Sequence, residues 1–512
     1  MTRTSGLALA LVFAAFPAAL AAQQSDSVRS LSLEDAVRLA LPASEQVGIA
    51  LAERIRASGQ IKRAYAEFLP QITLSGQYTR QIKSQYSSGS SGGSSSAPAT
   101  CPSFTGQPGT NEQRLDSLEK AVNCLTNQNP FAAFSDLPFA RPNQWNFGIA
   151  YAQTLFNGSI INGRTTAAKA GRQLAELGIT SSQAQLVLDV TTAYYDAQLT
   201  DQLVAIAQLA LDQSDTTLRQ TELGFKVGSS AEFDVLRARV SRDNTRVTLI
   251  QQEANRDVAL YRLKQLVLLP LDRPVTLTTP LASMETDSLT FPDTLLLGSQ
   301  DSLTKERSAI KQAEETEVIQ RIIYKIADAE WWPTLSVTSR YGQLAYPNST
   351  FPGAHDFRTD WNVGVLLNFP VWTSGRYRGD AQVAQADYEQ ARLRTSLTRK
   401  LAAIDTRQVI SRLLASRAAW VASVGTVEQA NRAYQIAEVR YREGISSLTE
   451  LNDARLGLAQ AQVNRATAAR DFQVALTRLE LLPDLPIGTA GAADAANQAT
   501  VGPVLPRTTT TP

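Results

Sequence analysis

Two stretches of this chain, 143 to 269 and 371 to 482, each run for more than a hundred residues without a proline. They are copies of one plan. An ungapped offset of 216 puts Trp145, Asn146 and Gly148 on Trp361, Asn362 and Gly364, Gly228 on Gly444, and Ala238 and Arg239 on Ala454 and Arg455. The register persists to "VALYRL" at 258–263 and "VALTRL" at 474–479, which reads as an internal two-fold repeat. Between Arg376 and Arg442 the composition is rich in Ala, Leu, Gln and Arg, and a straight helix of that length would extend roughly 100 Å. No ordinary globular core accommodates it. Val383, Ala386, Tyr388, Ala391 and Leu393 mark the stripe along which such a helix is expected to meet neighbours, although the helices alone fit a plain antiparallel coiled coil as well.

Upstream, "AEFLP" at 66–70 and "AEWWP" at 329–333 align at a different offset, 263. The first copy therefore carries an insertion between Arg80 and Trp145, and this insertion holds "SSGSSGGSSS" and both cysteines. Each copy reads as a helix ended by a proline, a strand pair and a long helical hairpin. The strands are expected at 71–81 and 145–155, then at 334–343 and 361–371. Ile72, Leu74 and Tyr78 alternate with polar residues, as do Trp145, Phe147, Ile149 and Tyr151; the second copy repeats this with Leu335, Val337 and Tyr341, then Trp361, Val363, Val365, Leu367 and Phe369. Period two over about ten residues with aromatic ends fits transmembrane β-strands and their interfacial girdles. Any one of these segments by itself reads more readily as part of a soluble hairpin. The first repeat then spans 23–269 with its helical hairpin at 165–268, an inter-repeat segment spans 270–307, and the second repeat spans 308–482 with its hairpin at 376–482. The tail 483–512 is poor in bulky apolar residues and is expected to be disordered.

The opening residues combine Arg3, an apolar run from Leu7 to Leu20 and small residues at Ala19 and Ala21 or Ala22, the pattern of a secretory signal peptide over 1–22. Gln23 would then leave no cysteine for lipid attachment. No other stretch reaches the eighteen or so apolar residues of a membrane-crossing helix, so an exported chain is either soluble or inserted as a β-barrel. Export also places Cys101 and Cys124 where they can pair, closing a loop for about 3 kcal/mol, or they stand as two surface thiols. Formal charge is +1 with acids and bases interspersed, which argues against a nucleic-acid partner. The single histidine, His355, falls in a loop, so imidazole clusters for metal or nucleophilic chemistry are unavailable. With no Gly-rich phosphate loop and no Cys-x-x-Cys pair, the chain is read as a non-enzyme that needs no cofactor.

The order helix, "AEFLP" or "AEWWP", strand pair, "LFNGS" or "VWTSGR", long helix, then a Gly-containing interruption followed by "DVLRAR" or "ELNDAR" resembles the TolC-like outer-membrane efflux protein family across roughly 30–482. The resemblance implies an α+β membrane protein: a homotrimer whose four strands per protomer make one 12-stranded β-barrel in outer membrane lipid, continuing into a long α-helical coiled-coil tunnel through the periplasm. It implies the exit duct of a tripartite efflux pump or type I secretion system, passive and gated at its periplasmic end. A periplasmic adaptor of the membrane fusion class and an energy-supplying inner-membrane transporter would be its partners. The strand-to-strand loops, the cysteine-bearing one included, would face the exterior, and residues 270–307 with both terminal regions would form a belt around the tunnel. The insertion is longer and richer in Ser and Gly than the family pattern. A soluble periplasmic or surface coiled-coil scaffold is the alternative from another class.

By the same resemblance "FKVGSSAEFD" at 225–234 and "YREGISSLTE" at 441–450 are the hairpin turns of the periplasmic tip, where an adaptor docks. A helix end needs a residue tolerant of positive φ, which Gly228 and Gly444 supply. Ser229 with Glu232, and Ser447 with Glu450, are expected as capping boxes for the following helices. Asp234, Glu450 and Asp453 match acids of the family's gate, against solvated-face or capping roles for the same residues. Tyr441 matches a latch residue, while Ser446 stands where a basic latch partner would, with Arg440 and Arg442 as the nearby substitutes.

Overall fold

The computed structural model describes residues 29–82, 101, 109–127, 141–281 and 300–488. The expected signal peptide, the Ser/Gly run of the insertion and the tail from 489 lie outside the described residues. The chain divides into two units, one built from residues up to Leu51, Gly178–Ile310 and Arg399 onward, the other from Ala52–Leu177 and Lys311–Thr398.

In the second unit the strands β2 (Gln71–Arg80), β3 (Asn143–Phe156), β5 (Thr334–Ala345) and β6 (Phe357–Asn368) form one antiparallel sheet in the order β2-β3-β5-β6. The last strand begins before the expected 361 and stops short of Pro370, which has no N–H to give the ladder. The register settles the faces, because directly opposed residues point the same way. Leu74 faces Ile149, Ile149 faces Tyr341 and Tyr341 faces Trp361, while Val337 faces Val365 and Leu335 faces Leu367. The other face carries Thr73, Ser75, Gln77, Asn146, Ser336, Thr338, Arg340, Asp360 and Asn362. Among the described residues the apolar face has no core behind it: Leu74 is 82% exposed and Val365 69%. β2 and β6 each pair on one side only among the described residues. Between β2 and β3 lies α3 (Asn111–Asn127), tied through a Cys101–Cys124 disulfide.

Both strand pairs turn into long helices through two consecutive positive-φ residues. These are Gly158 and Ser159 before α4 (Ile160–Lys226), and Ser374 and Gly375 before α8 (Arg376–Arg442), each helix 67 residues long. The glycine takes the first position in one turn and the second in the other. A Cβ on Gly158 would sit 2.6 Å from the Trp332 Cβ and 2.9 Å from the Ala329 carbonyl oxygen, whereas Gly375 faces open space. Along the part of α8 within this unit, the buried seam runs through Ala384, Ala391 and Thr395, with steps of seven and four that suit knobs-into-holes packing. Of the expected stripe, Ala391 is buried within the chain, whereas Val383 and Leu393 are exposed. Small residues let backbones approach, so Thr395 Oγ1 reaches the Ala313 carbonyl of α7 (Ser308–Ala329) at 3.2 Å.

The first unit is helical, with a short parallel ribbon of β1 (Arg29–Leu31) and β4 (Val275–Leu277). Leu31 of β1 and Ala36 and Ala40 of α1 (Leu33–Ala43) join Val190, Ala193 and Tyr194 of α4, Leu263 and Val267 of α5 (Glu232–Val267) and Ala466 and Ala469 of α9 (Leu448–Glu480) in its largest core. Tyr194 is fully buried, and its hydroxyl donates to the Leu31 carbonyl at 3.0 Å and accepts from the Thr279 amide at 2.8 Å. Residues 483–488, beyond α9, are packed in place, contrary to a tail disordered from 483. Leu485 and Ile487 are buried, the Ser308 amide donates to the Pro483 carbonyl, and fully buried Arg307 binds Asp405 at 2.9 Å and the Leu485 carbonyl at 3.3 Å. Burial lowers the Arg307 pKa from its usual value, and Asp405 opposes that. α2 (Glu45–Ala66) and α6 (Gln300–Lys305) complete the described α-helices; no helix among the described residues is long and apolar enough to cross a membrane.

Alanine at either turn glycine adopts positive φ at a cost of about 1 kcal/mol, but only Gly158→Ala also drives a methyl into Trp332. Thermal unfolding followed by circular dichroism should place Gly158→Ala about 1–3 kcal/mol below Gly375→Ala; equal melting would contradict the packing.

Candidate functional site

The two interruptions singled out in the sequence are helix-to-helix turns of one design. After α4 the Gly228 amide donates to the Phe225 carbonyl and the Ser229 amide to the Gly224 carbonyl. After α8 the Gly444 amide donates to Tyr441 and the Ile445 amide to Arg440. Each is a Schellman turn, with glycine at the left-handed position, φ +80° at Gly228 and +72° at Gly444. The bonds match residue for residue at the offset of 216.

Beyond the turns the two copies differ. α9 is capped by Ser447, whose Oγ accepts from the Glu450 amide. α5 starts after Ala231, which offers no side-chain cap. The expected Ser229–Glu232 capping box is therefore absent, because the turn already uses Ser229: its hydroxyl donates back to the Gly224 carbonyl at 3.1 Å. In the second copy Glu450 supplies its amide to the cap, while its carboxylate faces Arg440 at 3.5 Å. This cap register aligns Asp234 with Glu450, both three residues past the cap, and sets Asp453 one turn deeper on an exposed position.

The hairpins meet just behind the turns. Leu218, Val235, Ala238 and Leu448 are buried together with Tyr441 packed against them, and the Tyr441 and Thr221 hydroxyls lie 2.9 Å apart. Tyr441 thus makes a neutral bond across the two hairpins of the chain. Of the proposed basic substitutes, Arg440 engages Glu450 and Arg442 sits at 4.0 Å from Glu443. The Ser446 hydroxyl is buried without a hydrogen-bond partner. Gly228, Ser229, Gly444 and Ser447 are all exposed.

One functional-looking residue is not evident from the sequence. Arg455 stands out there only as the repeat partner of Arg239, yet their surroundings are opposite. Arg239 makes an exposed ion pair with Glu222 at 3.1 Å. Arg455 is buried, donates to the Ser214 hydroxyl at 2.7 Å and the Ser241 hydroxyl at 2.8 Å, and thereby ties α9 to α4 and α5. Burial lowers its pKa, with Tyr434 opposing. A cleft of about 400 Å³ opens beside it, lined in part by Asn244, Thr248, Gln252 and Asn452. The only sequence signal is that serines stand at 214 and 241 where the second copy has Ala430 and Gly457. No group of histidine, cysteine and acidic side chains among the described residues could hold a metal ion.

The family model described as "Outer membrane efflux protein" matches residues 36–267 and 301–482. Nodulation protein T of Rhizobium leguminosarum bv. viciae is 22% identical over 317 residues, 62% of this chain and 64% of that protein. The toluene efflux pump outer membrane protein TtgC of Pseudomonas putida is 27% identical over 288 residues, 55% of this chain and 57% of TtgC. These alignments span less than two thirds of either relative. The crystal structure of the Campylobacter jejuni CmeC outer membrane channel has the same fold, with a TM-score of 0.67 at 15% identity over 91% of this chain and 89% of that one.

Tyr441→Phe should remove the bond to Thr221 at a cost of about 1 kcal/mol. Hydrogen exchange at amides near 218–235 and 441–451 should then rise roughly fivefold. Thr221→Val should do the same and the double variant nothing more; fully additive effects would contradict the pairing.

Proposed function

Because this chain belongs to the outer membrane efflux protein family, we propose that it is the exit duct of an envelope-spanning export machine, passive in itself and gated at its hairpin tips. Its place is the outer membrane, with extension into the periplasm. The observation that carries the reading is the two-faced sheet. An apolar face without a core behind it suits lipid, and a face of Thr, Ser, Gln, Asn, Arg and Asp suits water. The free edges of β2 and β6 would be satisfied by neighbouring copies, three protomers closing twelve strands with no edge left. At a strand spacing of about 4.8 Å and a tilt near 40°, twelve strands enclose a radius of roughly 12 Å, wider than the eight-stranded barrels that side chains fill. A soluble scaffold would leave the apolar face in water, and so accounts for the sheet less well.

In this reading the long helices of three protomers continue the duct. The seam of Ala384, Ala391 and Thr395 serves packing within a protomer, and exposed Val383 and Leu393 serve packing between protomers. The tips then bring three copies of Asp234, Glu450 and Asp453 around one axis. Such rings favour cations and store repulsion that a partner can offset. Gly228, Ser229, Gly444 and Ser447 present exposed turns for a periplasmic adaptor, through which an inner-membrane transporter supplies the energy. Opening would separate Tyr441 from Thr221.

Replacing Glu450 and Asp453 with alanine in trimers reconstituted in planar bilayers should raise single-channel conductance and lower the preference for cations. Unchanged conductance and selectivity would overturn the gate.

A further inference from the structure

The insertion between β2 and β3 contains α3, 17 residues long. Its apolar residues Leu115, Leu118, Val122 and Leu125 are 65%, 45%, 48% and 62% exposed. Their steps of three, four and three place them at successive a and d positions of a heptad, the pattern of a coiled-coil seam. In that register Arg114 falls at g and Glu119 at e, both exposed. In a parallel bundle a g residue meets the e residue five positions on in its neighbour, so the charges are complementary between identical helices side by side. Lys120, at f, pairs within its own helix with Asp116 at 2.8 Å, and Cys124, at c, anchors the helix to Cys101 from outside the seam.

We propose that the α3 helices of three protomers associate through this seam into a short parallel coiled coil that closes the extracellular mouth of the duct. The proposal rests on the trimeric reading above. An isolated helix of this length is marginal in water, but three copies fixed to one trimer meet at an effective concentration in the millimolar range. The seam must part for cargo to leave, while the disulfide keeps each helix attached to its loop. The duct would thus be closed at both ends.

The test is cross-linking of the whole protein in detergent-solubilised outer membrane. Under mild oxidation the double variant Arg114→Cys/Glu119→Cys should give covalent trimers on non-reducing gels, at least tenfold more than Gln113→Cys/Lys120→Cys, whose cysteines lie outside the seam. In bilayers Leu118→Asp should raise conductance at least twofold while the trimer persists. Equal cross-linking by both pairs, no cross-linking from intact trimers, or unchanged conductance of Leu118→Asp would overturn the closure and leave the trimeric duct standing. A chain found monomeric in detergent would overturn the duct and the closure together.

Discussion

Among the described residues the sheet does not satisfy its own edges. Four strands leave two edges of unmade backbone hydrogen bonds, and in lipid each such group costs several kcal/mol. The apolar face adds a second demand, since side chains such as Leu74 and Val365 have nothing to pack on. In the proposed duct, closure with further copies inside a membrane would answer both demands together. The two strand pairs leave the sheet by matching exits, the positive-φ turns at Gly158–Ser159 and Ser374–Gly375.

Away from the sheet, stability comes from small-residue seams and a few buried polar clasps. Tyr194 holds the N-terminal ribbon to the helices through two backbone bonds. Arg307 and Asp405 clasp the chain end; such a pair is costly to break because either partner left alone is a buried charge. Arg455 solves the same problem without a carboxylate, using two serine hydroxyls. These clasps fix helix register where alanine seams, nearly uniform along their length, specify it weakly.

The alternation in the strands is legible in the sequence because period two survives in any environment that has two different faces. The glycine turns are legible because positive φ is a local backbone demand. The buried face of α8 is not: Val383 and Ala384 are both apolar, and what selects Ala384 is the close approach of another helix. The role of Ser229 is ambiguous in sequence because a serine near a helix start looks the same whether it caps the next helix or closes the turn before it. Arg239 and Arg455 are identical in the repeat, and their different fates are set by Glu222, Ser214 and Ser241, of which the serines lie more than two hundred residues from Arg455.

The central claim, that three chains close one barrel in lipid, is tested most directly by fractionating cells that express the protein and determining the mass of the solubilised particle. A closed barrel predicts a particle of three chains in the outer-membrane fraction, dissociating on gels only after heating. Release of a monomer by osmotic shock would contradict it.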